Sequence, residues 1–208
     1  MNVLLADHHP LYRQGVQNAL KDHQHLHFKW IVEDGNDLLS SIDANRPDLL
    51  ILEIDLPHSN GIGVLRDLKE LHPNLHILVL SSHPEEIYAI SAVKAGAHGY
   101  LSKTRGAAEI ESAITAICNG QTYISEDVLE LHEKRKKGTK NRPYRKLSTR
   151  EIEVLNLLSR GKRNKEISQV LNINEKTVST YKTRLLKKLN VTNLADLINQ
   201  ARLLQITH

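Results

Sequence analysis

Two carboxylates close a short apolar stretch, LLILEIDLPHSNG, at residues 49–61. Glu53 and Asp55 stand two positions apart, shortly before Pro57. A short aliphatic run that ends in turn residues predicts a buried strand, and the alternation of side chains puts both carboxylates on one face of it. Because acids are rarely buried without a partner, this end of the strand is a candidate for chemistry, or for a site that keeps its shape without reacting.

The stretch belongs to a repeating pattern of strands and helices. Between the predicted strands, 3,4-spaced apolar residues such as Ile110, Ala113, Ile114 and Ile117 predict amphipathic helices. The alternation predicts an α/β fold with a doubly wound, five-stranded parallel sheet, in which ligands bind beyond the carboxyl ends of the strands. The predicted strands are NVLLA (2–6), HFKWIV (27–32), LLILEI (49–54), HILVLS (76–81) and HGYLS (98–102).

Charge divides the chain into two halves. Residues 1–125 hold 9 Lys and Arg against 15 Asp and Glu, whereas residues 126–208 hold 19 against 9, so the second half is the one suited to nucleic acid. The single cysteine, Cys118, cannot form an internal disulfide, and no stretch resembles a membrane span or a secretory signal. We therefore expect a cytoplasmic protein with no membrane partner.

The second half predicts a linker and a small all-α domain. LHEKRKKGTKNRPYRK, residues 131–146, is basic and contains Gly138 and Pro143, so residues 126–146 are interpreted as an exposed linker between domains at 1–125 and 147–208. The linker could also contact phosphates. Ser148 and Glu151 have capping-box spacing and begin a helix that ends at Gly161. Further helices are predicted at NKEISQVL (164–171), EKTVSTYKTRLLKKL (175–189) and LADLINQARLL.

The helix at 175–189 has the composition of a helix that reads DNA. Its buried stripe is predicted at Val178, Leu185 and Leu189. Short hydroxyl side chains can reach base edges while neighbouring cations neutralise phosphates, although a solvated basic helix has the same pattern. The open face holds Ser179, Thr180, Lys182, Thr183, Arg184 and Lys187.

The segment LSTREIEVLNLLSRGKRNKEISQVLNINEKTVSTYKTRLLKKLNV closely resembles the LuxR-type helix-turn-helix domain over about 60 residues. The resemblance implies binding to double-stranded DNA as a homodimer, with base contacts from Ser179, Thr180 and Thr183. It also implies phosphate contacts from Lys165, Lys176, Lys182 and Lys187. The family often has Lys at the position of Ser179 and Gly at that of Asn172. The target sequence therefore cannot be read from the family.

The first half resembles a response-regulator receiver of the NarL/FixJ group, on the motifs ADHHPLYRQGV, PDLLILEIDLP, VLSS and GYLSK. Family receivers accept a phosphoryl group from a sensor kinase onto an Asp after strand 3, with Mg²⁺ held by an acidic pair after strand 1. A hydroxyl residue and a lysine then hold the phosphoryl oxygens. By motif, these correspond to Ser81 and Lys103, and the family's switch aromatic corresponds to Tyr100.

Two receiver positions depart from the family. The phosphoacceptor position, four residues before Pro57, holds Glu53, and the acidic pair is Asp7 and His8. The glutamate carboxylate lies one methylene further out, roughly 1.5 Å, which disturbs the geometry needed for phosphoryl transfer. An imidazole is a poor ligand for Mg²⁺, so Mg²⁺ binding should be weak or lost and no cofactor is expected. We expect Glu53 to pair with Lys103 and accept from Ser81.

Several alternatives stay open. The receiver could be phosphorylated conventionally, on Asp55 for example, or it could dock a protein or small ligand. HQHLH places His23, His25 and His27 two apart, which in an extended chain would suit a metal ion. Asp7, His8, His9 and Glu53 could form a transition-metal hydrolase site. We favour a DNA-binding transcriptional regulator that is not an enzyme, has an atypical receiver and holds no metal.

Overall fold

The computed structural model describes residues 1–59, 61–136 and 147–203. Within the helices at 126–136 and 194–203, it describes the whole backbone but not every side chain. The chain divides into two compact units, residues 1–136 and 137–208, which are described separately. No helix in the described ranges is long and apolar enough to cross a membrane.

The first unit is a parallel five-stranded sheet with helices on both faces, in the strand order β2-β1-β3-β4-β5. This confirms the predicted fold class. Its strands are β1 (Asn2–Ala6), β2 (His27–Val32), β3 (Leu49–Leu52), β4 (His76–Ser81) and β5 (Gly99–Ser102). Its helices are α1 (Pro10–Ala19), α2 (Gly35–Asn45), α3 (Gly63–Leu71), α4 (Glu85–Ala95), α5 (Ala107–Cys118) and α6 (Glu126–Lys136).

Burial on both sides explains why the central strands are continuous apolar runs. In β1, Val3 and Leu5 pack into the core against α1 and α5, while Leu4 and Ala6 are equally buried. Alternate side chains of a strand point to opposite faces, so a strand covered on both faces cannot show polar alternation. The edge strand β2 differs, because only Val32 of its six residues is buried.

The register of the sheet brings the carboxyl ends of four strands to one edge. Ala6 pairs with Leu52, and Ser81 pairs with Ser102. The backbone N–H of Glu53 donates to the carbonyl of Ala6 at 2.8 Å, which fixes Glu53 directly beyond β3. Residues that follow these strands therefore meet in one shallow region, although they are far apart in the sequence.

The interpretation of residues 126–146 as a linker needs a correction. Residues 126–136 form helix α6, which contacts α4 within the first unit. Val128 is buried, and Asp127 binds the guanidinium of Arg105. The sequence pattern missed this because the helix has few apolar residues and is held by a charged partner from another element. Residues 137–146, which include Gly138 and Pro143, lie outside the described residues.

The second unit contains four helices in its described part, α7 (Thr149–Ser159), α8 (Asn164–Val170), α9 (Glu175–Leu189) and α10 (Leu194–Leu203). The predicted capping box is present, because Ser148 Oγ accepts from the N–H of Glu151 and Glu151 Oε2 accepts from the N–H of Ser148. Glu151 also binds Lys188 of α9 at 2.7 Å, which ties the start of α7 to α9.

The turn before α9 and the buried face of α9 match the sequence pattern. Asn172 has a φ of +49°, a left-handed conformation that asparagine tolerates better than most residues. Val178, Leu185 and Leu189 are buried, as the 3.6-residue period predicts. The remaining face of α9 is left to carry polar and basic side chains.

Candidate functional site

Glu53 is buried, and its carboxylate is held by backbone and side-chain donors, among them a long contact from the Ser82 hydroxyl at 3.5 Å. Oε1 accepts from the Ser81 hydroxyl at 2.6 Å and from the backbone N–H of Asp55 at 3.0 Å. Oε2 accepts from the backbone N–H of Ser82 at 3.0 Å and lies 3.1 Å from Nζ of Lys103. Both oxygens are therefore satisfied inside the protein, which fixes the carboxylate in one orientation and compensates for its burial.

Lys103 joins Glu53 to the first strand. Its Nζ lies 2.6 Å from Oδ2 of Asp7, which is buried, and 3.2 Å from Nδ1 of His9. The ammonium also lies 4.5 Å from the ring centroid of Tyr12. The lysine is thus bound on several sides and bridges the two carboxylates that the sequence predicted to share a pocket.

The Tyr12 hydroxyl lies in an apolar and negatively charged environment. Burial and the carboxylates of Asp7 and Glu53 raise the pKa of Tyr12 to about 12. Tyr12 therefore stays neutral at physiological pH, and it presents the face of its ring to Lys103.

The two histidines after β1 lie against each other, with ring centroids 3.8 Å apart. Nδ1 of His9 approaches Oδ1 of Asp7 at 3.0 Å. Burial, and then the neighbouring imidazole of His9, lowers the pKa of His8. The Nδ1 atom of His8 is buried and has no hydrogen-bond partner among the described residues.

Tyr100 is linked to the carboxylate of Glu53 through hydrogen bonds of two intermediate residues. It is fully buried, and its hydroxyl donates to the carbonyl of His83 at 3.1 Å. The N–H of His83 donates in turn to Ser81 Oγ at 3.3 Å. Burial raises the pKa of Tyr100 well above its ordinary value. Tyr100 therefore reaches Glu53 through His83 and Ser81, within the same connected network.

The residues after β1 and β3 do not fit Mg²⁺, the ion that family receivers use. Mg²⁺ requires hard oxygen ligands in octahedral geometry, and His8 offers nitrogen where the family has a second carboxylate. The ammonium of Lys103 also lies in contact with both Asp7 and Glu53, so it already compensates their charge.

Some members of this site could not be assigned from the sequence. Ser82 contributes a backbone amide, which any residue would carry, and Tyr12 contributes a ring face from the first turn of α1. The sequence suggests His9 only as a member of a possible hydrolase cluster, not as a neighbour of Lys103. Asp55, the alternative acceptor, provides a backbone N–H to Glu53. For Ser82, the repeated serine of VLSS was the one available signal.

The histidines of HQHLH do not converge as a metal site. His23 and His25 have ring centroids 5.6 Å apart, and His23 instead lies 3.7 Å from a carboxylate oxygen of Glu111. Among the described residues, the group of three or more side chains with ligand atoms close enough to share an ion is Asp7, His8 and His9.

In the second unit, the residues predicted to meet DNA lie at the surface of α8 and α9. Lys182 is partly exposed and the others are exposed. Most belong to the side of α9 that faces away from its buried stripe, whereas Lys182 borders the stripe and Lys165 lies on α8. The remaining members are Lys176, Ser179, Thr180, Thr183 and Lys187.

The three hydroxyls of this surface are fixed by their own helix. Ser179, Thr180 and Thr183 each donate to the carbonyl four residues earlier, at 3.2, 2.9 and 3.1 Å. Their protons are therefore used internally, and they present oxygen lone pairs and methyl groups outward. Ser179 also accepts from Asn164 of α8 at 3.0 Å, a contact that sequence reasoning did not anticipate.

Comparison with known families supports this division into two parts. Residues 3–115 match the response regulator receiver domain, and residues 145–201 match the bacterial regulatory proteins of the luxR family. The chain is a response regulator of the NarL/FixJ group. It is thus a DNA-binding transcriptional regulator of the two-component type.

Relatives of this response regulator match it along nearly its whole length. The Fimbriae Z protein of Escherichia coli K12 is 31% identical over 205 residues, covering 99% of this chain and 98% of the relative. DegU of Brevibacillus brevis is 31% identical, covering 93% and 89%. The structure of RcsB from Salmonella enterica serovar Typhimurium, bound to promoter rprA in the presence of the phosphomimetic BeF3⁻, has a TM-score of 0.79 at 27% identity and covers 96% of this chain and 97% of RcsB.

Proposed function

We propose that this response regulator binds promoter DNA with a receiver that Glu53 holds in one state, without phosphorylation by the usual Mg²⁺-dependent route. The main support for the proposal is that the two groups expected to bind phosphoryl oxygens already bind a side chain of the receiver itself. Ser81 and Lys103 both bind the carboxylate of Glu53. A permanent carboxylate therefore takes the place of the phosphoryl oxygens that would otherwise select this state.

Electrostatics and geometry favour this proposal over a conventionally phosphorylated receiver. The ammonium of Lys103 is already in contact with Asp7 and Glu53, and His8 replaces an oxygen ligand. Phosphoryl transfer needs a cation to offset the charge of the incoming group and a nucleophile in line with it. Here neither requirement is met, so a sensor kinase need not be a partner.

The second unit supplies the DNA contacts in this proposal. Lys165, Lys176, Lys182 and Lys187 bind phosphates, while the outward oxygens and methyl groups of the α9 hydroxyls meet base edges. RcsB has been solved as a DNA complex and as dimers bound to DNA, which supports a homodimer that places two copies of α9 in successive major grooves. Such a protein regulates transcription rather than catalysing a reaction, and we expect it to act in the cytoplasm.

Phosphorylation is tested by incubating four proteins with acetyl phosphate and Mg²⁺ and measuring intact mass. They are the wild type, Glu53→Asp, His8→Asp and the double variant. We expect no phosphoryl adduct on the wild type or on either single variant, because each lacks a nucleophile or an ion ligand. The double variant restores both and should be phosphorylated. A phosphoryl adduct on the wild-type receiver would contradict the proposal.

DNA binding is tested by selection from a degenerate double-stranded pool with the untreated wild-type chain. Enrichment of one sequence, with affinity that falls steeply as salt rises, is expected of a reader that neutralises several phosphates. Enrichment that appears only after phosphorylation would overturn the constitutive state. The absence of any enriched sequence would overturn DNA reading itself.

A further inference from the structure

Lys103 lies at the centre of a group of lone-pair donors. Its Nζ is 2.6 Å from Asp7 Oδ2, 3.1 Å from Glu53 Oε2 and 3.2 Å from His9 Nδ1. An ammonium has protons to donate and no lone pair, so a hydrogen bond to it requires a lone pair on the partner, which His9 Nδ1 offers in the tautomer with its proton on Nε2. The ammonium of Lys103 therefore occupies a position whose surrounding groups could also bind a metal cation.

In this tautomer of His9, two hydrogen-bond acceptors, His9 Nδ1 and Asp7 Oδ1, face each other. When His9 Nδ1 accepts from Lys103, its ring proton is on Nε2, and Nδ1 then meets Oδ1 of Asp7 at 3.0 Å with no proton between them. A metal ion that binds both atoms would remove this repulsion. With metal–ligand bonds of about 2.0–2.2 Å, neighbouring ligands of a tetrahedral ion lie about 3.3 Å apart, close to the observed spacing.

His8 provides an independent observation. Its Nδ1 atom is buried in this polar region and has no hydrogen-bond partner among the described residues. Buried polar nitrogens nearly always have one. The ligand atoms of Asp7, His8 and His9 also lie within 4.8 Å of one another. Three consecutive residues thus bring one carboxylate and two imidazoles close enough together to share an ion.

We propose that Asp7, His8 and His9 bind a divalent transition metal ion, in exchange for the ammonium of Lys103. Imidazole nitrogen suits Zn²⁺, Co²⁺ and Ni²⁺, whereas Mg²⁺ keeps to oxygen. Glu53 Oε2 shares the ammonium with Asp7, so it lies on the far side of the position that the ion would take from Lys103. The same replacement at His8 that disfavours Mg²⁺ therefore changes the class of ion.

Metal binding is measured directly, on the full chain without an affinity tag, by titration calorimetry with Zn²⁺ and by visible absorption with Co²⁺. Excess Mg²⁺ is present throughout, because it should not compete for a site with imidazole ligands. We expect one ion per chain. His8→Gln and His9→Gln should each weaken binding by about tenfold or more, as the loss of a ligand does at other metal sites.

Two variants separate this site from adventitious binding. His25→Gln removes an exposed histidine of HQHLH and should leave the affinity unchanged. Lys103→Met removes the competing ammonium while keeping the apolar stem, so binding should become several-fold tighter. The proposal is overturned if His8→Gln and His9→Gln bind Zn²⁺ like the wild type, if His25→Gln loses the ion, or if Lys103→Met weakens binding.

The inference goes beyond the proposed function, because the ion would take the place of Lys103 while Ser81 and the backbone amides still bind the Glu53 carboxylate. The two ideas fail separately, since the titration contains no DNA and the selection from a degenerate pool contains no Zn²⁺. Circular dichroism of each variant confirms that it is folded. A folded His8→Gln protein that selects DNA normally but does not bind Zn²⁺ would support both.

Discussion

The hydroxyl of Ser81 donates to Oε1 of Glu53 at 2.6 Å, across the carboxyl ends of neighbouring strands β3 and β4. Both side chains are buried, so the contact is shielded from water. Short charge-assisted hydrogen bonds of this kind are stronger than neutral ones. The Glu53 carboxylate therefore has a structural role as well as the signalling role proposed for it.

Glu53→Gln should lower the free energy of unfolding by about 1–3 kcal/mol. The amide has one acceptor oxygen, so at least one buried donor loses its partner, and Lys103 keeps only Asp7 as a carboxylate partner. Urea unfolding measures the change. The matched control is Glu70→Gln, since Glu70 is exposed on α3. Equal effects for the two variants would contradict this account.

Arg105→Ala should destabilise the first unit and loosen α6. The guanidinium binds Glu85 at 2.9 Å and Asp127 at 2.8 Å, and these bonds raise the pKa of Arg105. Glu85 is buried, so removing its cation leaves a carboxylate with only neutral partners, at a cost of about 2 kcal/mol or more. Urea unfolding measures the loss, and limited proteolysis within residues 126–136 reports release of the helix.

Two further variants control the Arg105 experiment. Arg105→Lys keeps the charge but loses the two-pronged contact with Glu85, so its effect should be smaller. Arg66→Ala removes an exposed arginine from α3 and should change neither stability nor proteolysis. If proteolysis of α6 is unchanged in Arg105→Ala, the ion pair does not hold that helix.

His98 should make stability depend on pH below neutrality. Its Nδ1 accepts the backbone N–H of Ile77 at 3.1 Å, and burial, followed by the charges of His76 and Lys69, lowers its pKa below 6.5. The unfolded chain therefore binds this proton first, and the stability gained at higher pH is lost as the pH falls through 6.5 toward the folded pKa. His8, whose pKa is also lowered, contributes in the same direction.

The pH dependence is measured by urea unfolding between pH 7.5 and 5.5 in the wild type and in His98→Gln. The variant should show a shallower fall, because one group no longer takes up a proton on unfolding. His25→Gln, at an exposed position, is the matched control and should behave like the wild type. An unchanged slope in His98→Gln would rule out His98 as a source of the pH dependence.

Lys182→Ala and Thr183→Ala should affect DNA binding in different ways. Loss of a phosphate contact by Lys182→Ala should weaken binding to all sequences and reduce the salt slope by about 1. Thr183→Ala removes an outward oxygen and methyl group and should change the preferred base at one position. Quantitative gel shifts at several salt concentrations measure both. Lys21→Ala, exposed in the first unit, should have no effect.

Much of the fold could be predicted because its patterns are local. The short apolar runs of the strands, the 3.6-residue period in α9 and the capping box at Ser148 each depend on neighbours in the sequence. The helix at 126–136 could not be predicted in this way. Its contacts come from Arg105 and α4, which lie far away in the sequence, and its own apolar content is low.

The sequence by itself determined the alternation of strands and helices in the first half, the division of charge between the two halves, and the positions of Glu53 four residues before Pro57 and of His8 beside Asp7. Each of these depends on residue type and spacing alone. Tertiary structure decided that Lys103 compensates both carboxylates and that Ser81 donates to Glu53. These contacts depend on how parallel strands bring their carboxyl ends to one edge, and such distances follow from packing in three dimensions rather than from separation along the chain.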